Sequence, residues 1–259
     1  MASTTDKERK CEFCGKSLAP VYVQSFVAPS ELQAAYKVCE FPGGMPLTLV
    51  TFKSCDCPEA VKLREAQEAE AKAKQQAEAK ERFYANLVRA GIRKKYIEAK
   101  HPEAKDYAAK IDGGQSFYFS GSFGTGKTYL ACAIARQLVY HKRRVRFVTS
   151  VDLLIELQST YGKAEAEKDV LARYSKCDVL VLDDFGKEPP TEWALSRLYA
   201  IVNNRDADML PLVVTSNYKI SDLVSRMAGC DESTAEALAS RLAGMCEAVE
   251  IDGEDRRLK

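Results

Sequence analysis

The chain has 259 residues, 46% hydrophobic and 29% charged, with 38 Lys and Arg against 37 Asp and Glu for a net charge of +1. That length suits one α/β core plus a smaller module, and the charge balance excludes attachment to nucleic acid by an overall basic field. No run of about 18 consecutive apolar residues is present, so no membrane helix is expected. Met1 to Lys10 lack the apolar stretch of a signal peptide, so none is expected either. Nine cysteines are present. Cys132, Cys177, Cys230 and Cys246 are scattered singly, which suits reduced thiols in the cytoplasm better than a disulfide framework.

From the N-terminus, residues 1–57 combine cysteine pairs with β-rich runs. Cys11-Glu12-Phe13-Cys14-Gly15 is a C-x-x-C-G knuckle, and Cys55-Asp56-Cys57 is a C-x-C pair. Two close cysteine pairs, each at a turn, supply the four thiolates of a tetrahedral zinc site. Val21 to Val27 and Leu47 to Lys53 read as strands, and Pro42-Gly43-Gly44 reads as a turn. The expectation is a zinc-ribbon-like module held by Cys11, Cys14, Cys55 and Cys57, with Cys39 a fifth candidate. A metal answers a physical problem, because about 60 residues rarely bury a self-sufficient core. Free cysteines in a tail, or a redox C-x-x-C, are the alternatives.

Residues 58–90 are rich in Ala, Glu, Lys and Gln and read as helix. Glu68 with Lys72, Glu70 with Lys74, and Glu78 with Arg82 stand at i,i+4 in the favourable order. The inner face offers only Ala66, Ala69, Ala73 and Ala77, a stripe too thin to bury firmly. An exposed, semi-rigid connector is expected, with a partner-binding helix as the alternative.

Residues 91–259 alternate strand and helix patterns. Ser116 to Ser120 reads as a short buried strand. It runs into Gly121-Ser122-Phe123-Gly124-Thr125-Gly126-Lys127-Thr128, a G-x-x-x-x-G-K-T loop. Such a loop turns its backbone N–H groups onto phosphates; its Lys reaches the β- and γ-phosphates, and its Thr ligates magnesium. Tyr129 to Tyr140 reads as the helix that follows, placing the phosphates at a helix N-terminus. The eight loop residues and Tyr129 are therefore the candidate nucleotide contacts.

Val179-Leu180-Val181-Leu182-Asp183-Asp184 is a buried strand ending in two carboxylates at the edge where open α/β sheets bind ligands. Asp183 is the expected second magnesium ligand with Thr128, and Asp184 the group that polarises the attacking water. Pro211 to Asn217 is a further strand, and Asn217 at its end is placed to orient that water or sense the γ-phosphate. Two basic runs, Arg93-Lys94-Lys95 and Lys142-Arg143-Arg144 with Arg146, are candidate DNA contacts, although such runs are usually solvated faces.

These pieces carry a resemblance. Ala90 to Tyr96, the phosphate loop, Val179 to Gly186, Leu210 to Tyr218, Ala237 to Leu242 and Ile251 to Arg257 resemble, in order, the DnaC/DnaI/IstB group of AAA+ ATPases. The cysteine module and connector resemble, more loosely, the helicase-binding N-terminal domain of loaders such as DnaI. The resemblance implies an AAA+ P-loop NTPase with a central parallel sheet. It makes Lys127 and Thr128 Walker A, Asp183 and Asp184 Walker B, and Asn217 sensor 1. It makes Arg241 the arginine finger, with Arg226 as rival. Ile92 and Tyr96 fall where such proteins contact adenine. Two departures stand out. Asp-Asp replaces the commoner Asp-Glu at Walker B. The sequence also stops soon after Arg257, so a full C-terminal helical lid is not expected and only Arg256 or Arg257 is left to supply the lid arginine.

The expected organisation is a Cys₄ zinc module over residues 1–57, a helical connector over 58–90 and an AAA+ ATPase domain over 91–259. The expected function is that of a DnaC-like loader. It would place a DnaB-type replicative helicase, held by the N-terminal module, onto single-stranded DNA, with ATP-dependent self-association as the switch. An IstB-like transposition helper acting on DNA and a transposase is the alternative, and a metabolic P-loop kinase the third reading.

Overall fold

The structure, a computed structural model, describes residues 9–24, 38–40, 46–162, 164–227, 229 and 231–255. The Pro42-Gly43-Gly44 turn, the end of the Val21–Val27 run, Cys230, Arg256 and Arg257 lie outside the described residues. Two compact units are present, Met1–Glu78 and Ala79–Lys259.

The first unit holds β1 (Pro20–Gln24), β2 (Val38–Glu40) and β3 (Pro46–Phe52) in an antiparallel sheet of order β1-β3-β2. Helix α1 (Pro58–Arg89) starts immediately after the C-x-C pair and runs 32 residues across the boundary between the units. Ala66, Ala69, Ala73 and Ala77 are all exposed along it. The helix buries a large side chain only near its end, at Leu87.

The second unit is built on strands buried from both sides. Successive side chains of a strand point to opposite faces, so β4 (Ser116–Ser120) sends Phe117 and Phe119 one way and Tyr118 the other, all fully buried. β6 (Val179–Phe185) divides likewise into Val179 and Val181 against Leu180 and Leu182. Two cores result. Phe117, Phe119, Val181 and Val213 pack with Ile111 of α2 (Ala104–Asp112) and with Ile134 and Leu138 of α3 (Lys127–Tyr140). Tyr118, Leu182 and Val214 pack on the other face against α4 (Ser150–Gln158), α5 (Ala164–Ser175), α6 (Glu192–Ala207), α7 (Ile220–Met227) and α8 (Glu232–Met245). Each such side chain contributes about 1.5–3 kcal/mol when fully buried. A sheet covered on both faces is why its strands read as unbroken apolar runs.

With β5 (Val145–Thr149), β7 (Leu212–Ser216) and β8 (Cys246–Glu250), the sheet has order β5-β6-β7-β4-β8, and every pairing is parallel. This order positions the site. The chain leaves β4 through α3 and crosses to the far edge, so β7 lies between the strand that feeds the phosphate loop and the strand that carries the two carboxylates. A buried guanidinium holds the opposite ends together: Arg205, fully buried, donates to the carbonyls of Tyr174, Cys177 and Pro211 at 2.9, 3.0 and 2.6 Å.

Candidate functional site

The phosphate loop leaves β4 at Ser120 and enters α3 at Lys127. Gly126, with φ +100°, caps the helix in the left-handed conformation that glycine adopts without steric cost. Gly121 is constrained more tightly: its φ is +150°, and a Cβ there would run into the backbone carbonyl of Ile251. That carbonyl cannot retreat cheaply, because Ile251 N–H donates to Ser120 O at 2.7 Å. Gly121→Ala is therefore expected to cost about 1–3 kcal/mol of stability and to misplace the loop. A thermal melt paired with a nucleotide titration checks this; wild-type values in both would refute it. At Gly124 a Cβ would meet the Asp255 carboxylate, so the segment after β8 lies directly against the loop.

Lys127 is buried, and its Nζ donates to Gly121 O at 2.8 Å and Ser122 O at 2.6 Å. The loop thus cradles its own ammonium in the concavity. One residue on, Thr128 Oγ1 donates to Asp183 Oδ1 at 2.8 Å, joining the loop to the end of β6. Thr215 Oγ1 donates to the same oxygen at 2.6 Å and accepts from Asp184 N–H at 3.0 Å. Sequence reasoning missed Thr215, because a hydroxyl inside an apolar strand carries no signal until the strand order places it between the two motifs.

Burial pushes the Asp183 carboxyl above its ordinary range, and the hydrogen bond from Thr215 only partly offsets this. A buried carboxylate flanked by a second one is a natural partner for a divalent cation. Asp184 departs from the ladder. The β6–β7 register shifts between Leu182 and Phe185, and Asp184 takes a φ of +58°, rare for a residue with a side chain. The turn behind it is braced by the buried Glu188, which accepts from Gly186 N–H at 3.0 Å and from Ser150 Oγ at 2.5 Å.

A cavity of about 690 Å³ brings Lys127, Thr128, Tyr129, Asp184 and Asn217 together beside Tyr96, a size within the range of small-molecule sites. Asn217 Nδ2 is buried without a hydrogen-bond partner, a donor available to a ligand oxygen. Tyr129 OH accepts from Lys100 N–H at 3.1 Å and closes one wall. Ile92, expected near a base, is instead packed in the core with Leu87 and Phe117 and does not line the cavity, because the aliphatic side chain finds its burial there.

The two candidate arginines have different partners. Arg226, an exposed residue, donates to Gly186 O and lies 4.7 Å from the Tyr218 ring centroid. Arg241 does not line the cavity. It lies on α8, half-exposed, paired with Asp206 at 2.7 Å. Three arginines of the basic runs pair with carboxylates: Arg93 with Asp152, Arg143 with Asp112 and Arg144 with Asp178, at 2.8, 2.6 and 2.6 Å. Arg146 donates to Arg89 O at 3.1 Å.

In the first unit, Cys11, Cys14, Cys55 and Cys57 converge, with all four sulfurs within 4.8 Å of one another. Cys11 and Cys57 sulfurs are 3.7 Å apart, and those of Cys14 and Cys55 are 3.3 Å apart. Sulfurs at about 2.3 Å from one tetrahedral zinc lie about 3.8 Å from each other, so the donor set fits the metal. Gly15 N–H closes the knuckle on Cys11 O at 2.9 Å, and Cys57 O accepts from Val61 N–H at 3.0 Å where α1 begins. The backbone N–H groups of Cys14 and Phe13 bring the Cys11 thiol down to about 7. At Cys57 the N–H of Ala60 pulls down, but burial and the neighbouring sulfurs push the thiol up to about 12. Crowded thiols resist joint ionisation unless a cation compensates them.

No helix among the described residues is long and apolar enough to cross a membrane. The family of IstB-like ATP-binding proteins matches residues 104–259. The replicative helicase loader DnaC of Escherichia coli (strain K12) is 28% identical over 123 residues, 47% of this chain and 50% of DnaC. The replicative helicase loader DnaI of Bacillus subtilis (strain 168) is 28% identical over 150 residues, 56% of this chain and 48% of DnaI. The chain spans about half the length of these curated relatives. A crystal structure of DnaI superimposes with a TM-score of 0.52 and 29% identity, covering 60% of this chain and 80% of that one. The parallel sheet and phosphate loop are thus those of an AAA+ P-loop fold.

Proposed function

Because this chain belongs to the IstB-like ATP-binding family, within the DnaC/DnaI/IstB group of AAA+ proteins, we propose that it loads a replicative helicase onto single-stranded DNA, with ATP as the assembly switch. The observation that carries the ATP half is the Thr128–Asp183 contact, which closes Walker A onto Walker B beside an unpartnered Asn217 amide. The likeness to two helicase loaders supports the other half.

In this reading the loop N–H groups and Lys127 hold the phosphates, and Lys127 exchanges the carbonyls of Gly121 and Ser122 for phosphate oxygens. Thr128 and Asp183 are the residues that would hold magnesium, which would supply neutralisation of phosphate charge. Asp184 accepts a proton from water as the water oxygen bonds to the γ-phosphorus and the bond to the bridging oxygen breaks, giving ADP and phosphate. Asn217 donates to the γ-phosphate or that water. We assign residues 1–57 to a zinc module that grips the helicase, 58–90 to a connector and 91–259 to the ATPase.

Arg241 serves a neighbouring subunit. Its outward position on α8, away from its own cavity, supports this role, while Arg226 braces the turn behind its own Asp184. A guanidinium supplied in trans is worth about 10³–10⁵ in phosphoryl transfer. Arg241→Ala is therefore expected to bind ATP normally yet to lose at least about a thousandfold of assembly-stimulated turnover. Turnover that is undiminished in the variant and independent of protein concentration would dismiss the assembly reading. The family match also supports a transposition helper of IstB type. Capture by immobilised full-length protein decides between them: a replicative helicase is expected, and a transposase in its place overturns the loader.

A further inference from the structure

The residue that follows the Walker B turn has no place in the roles above. Lys187 Nζ lies 2.6 Å from Asp184 Oδ1 and 5.6 Å from the ring centroid of Phe123 in the phosphate loop. It lines the same cavity as Lys127, Thr128 and Asn217. Its backbone position does not depend on the ion pair. Glu188 pins Gly186 N–H, Arg226 pins Gly186 O, and Lys187 N–H itself donates to Asp184 O at 3.3 Å. The ammonium is thus delivered to the cavity by a braced turn and held by a carboxylate that the proposed hydrolysis needs free.

An ion pair whose two side chains are each 35% exposed is weak, and an ammonium prefers a more highly charged oxygen cluster when one is within reach. Asp184 bound to that ammonium is a poor acceptor for a water proton. We infer that Lys187 is a γ-phosphate ligand that moves from Asp184 to the triphosphate and thereby releases Asp184 for the attacking water. The inference rests on the cavity being an ATP site. It gives the two lysines different tasks. Lys127, inside the loop, serves di- and triphosphate alike, whereas Lys187, at the carboxylate side, reads the third phosphate. An apo site with its own carboxylate neutralised is then inert until the triphosphate arrives.

The test is calorimetric titration of the full chain with ADP and with a non-hydrolysable ATP analogue, for wild type, Lys187→Gln, Lys187→Arg and Lys127→Ala. Loss of one charge-assisted hydrogen bond predicts analogue binding weakened about tenfold or more in Lys187→Gln, with ADP affinity within about twofold of wild type. Lys187→Arg should recover most of the analogue affinity. A merely structural lysine would lower both affinities together or neither, and either pattern overturns the inference. If Lys127→Ala still abolishes binding in that case, the ATP site itself stands. If both ligands bind Lys127→Ala as they bind wild type, the site reading fails first.

Discussion

Lys127→Ala is expected to weaken ATP binding by roughly a hundredfold or more, the cost of removing one partner from a buried charged contact. The buried ammonium sits where the loop carbonyls of Gly121 and Ser122 converge. Without it those carbonyls present the negative ends of their dipoles to an incoming polyphosphate, and only backbone N–H groups remain to hold it. The unliganded variant should not be much less stable than wild type, since a buried ammonium satisfied by neutral carbonyls carries a desolvation cost of its own. The two effects separate in one experiment. ATP at about 100 times its wild-type dissociation constant should stabilise the wild type by about 2.7 kcal/mol, seen as a raised melting temperature, and the variant by no more than about 0.4 kcal/mol. An ATP-induced shift of wild-type size in Lys127→Ala would remove the loop from the binding site.

Short-range patterns made much of this molecule legible. The spacing of Gly121, Gly126, Lys127 and Thr128 marks a loop whose chemistry is carried by consecutive backbone groups. The apolar run ending in Asp183 and Asp184 marks a strand buried on both faces. The cysteine knuckle announces itself for the same reason, because its geometry is local. Legibility failed wherever a partner comes from elsewhere in the sheet. Thr215 touches Asp183 only because β7 is inserted beside β6, and no periodicity encodes strand order. Glu188 carries no signal in the sequence, because its partners Gly186 N–H and Ser150 Oγ meet it only in the folded turn. Ile92 has the composition of a base-pocket wall and the burial of a core residue; packing decided between them. Three arginines of the basic runs pair with Asp112, Asp152 and Asp178, partners that come from distant parts of the chain and that the runs themselves do not announce.

The largest effect is expected in the cysteine unit. Cys14→Ser, or transfer of bound metal to a strong chelator, should unfold the segment from the knuckle to the start of α1. A structural zinc site contributes about 10–16 kcal/mol at neutral pH, more than a sheet of three short strands in so small a unit supplies by burial. The expected signature is one zinc released per chain and new proteolytic cleavage between Arg9 and Lys53, with ATP affinity of the second unit retained. The redox alternative makes a different prediction from the same four sulfurs. Their separations of 3.3 and 3.7 Å are well beyond the roughly 2.05 Å of a disulfide bond, so the four sulfurs stand as thiols close enough to share one ion. If the cluster were a dithiol couple, oxidant would protect the fold and chelator would do nothing. If it is a zinc site, oxidant and chelator should both expel the metal and both open the segment. Protein purified without chelator that contains no zinc and keeps its protease resistance would eliminate the metal module. The helicase-gripping role proposed for residues 1–57 would then need another structural basis.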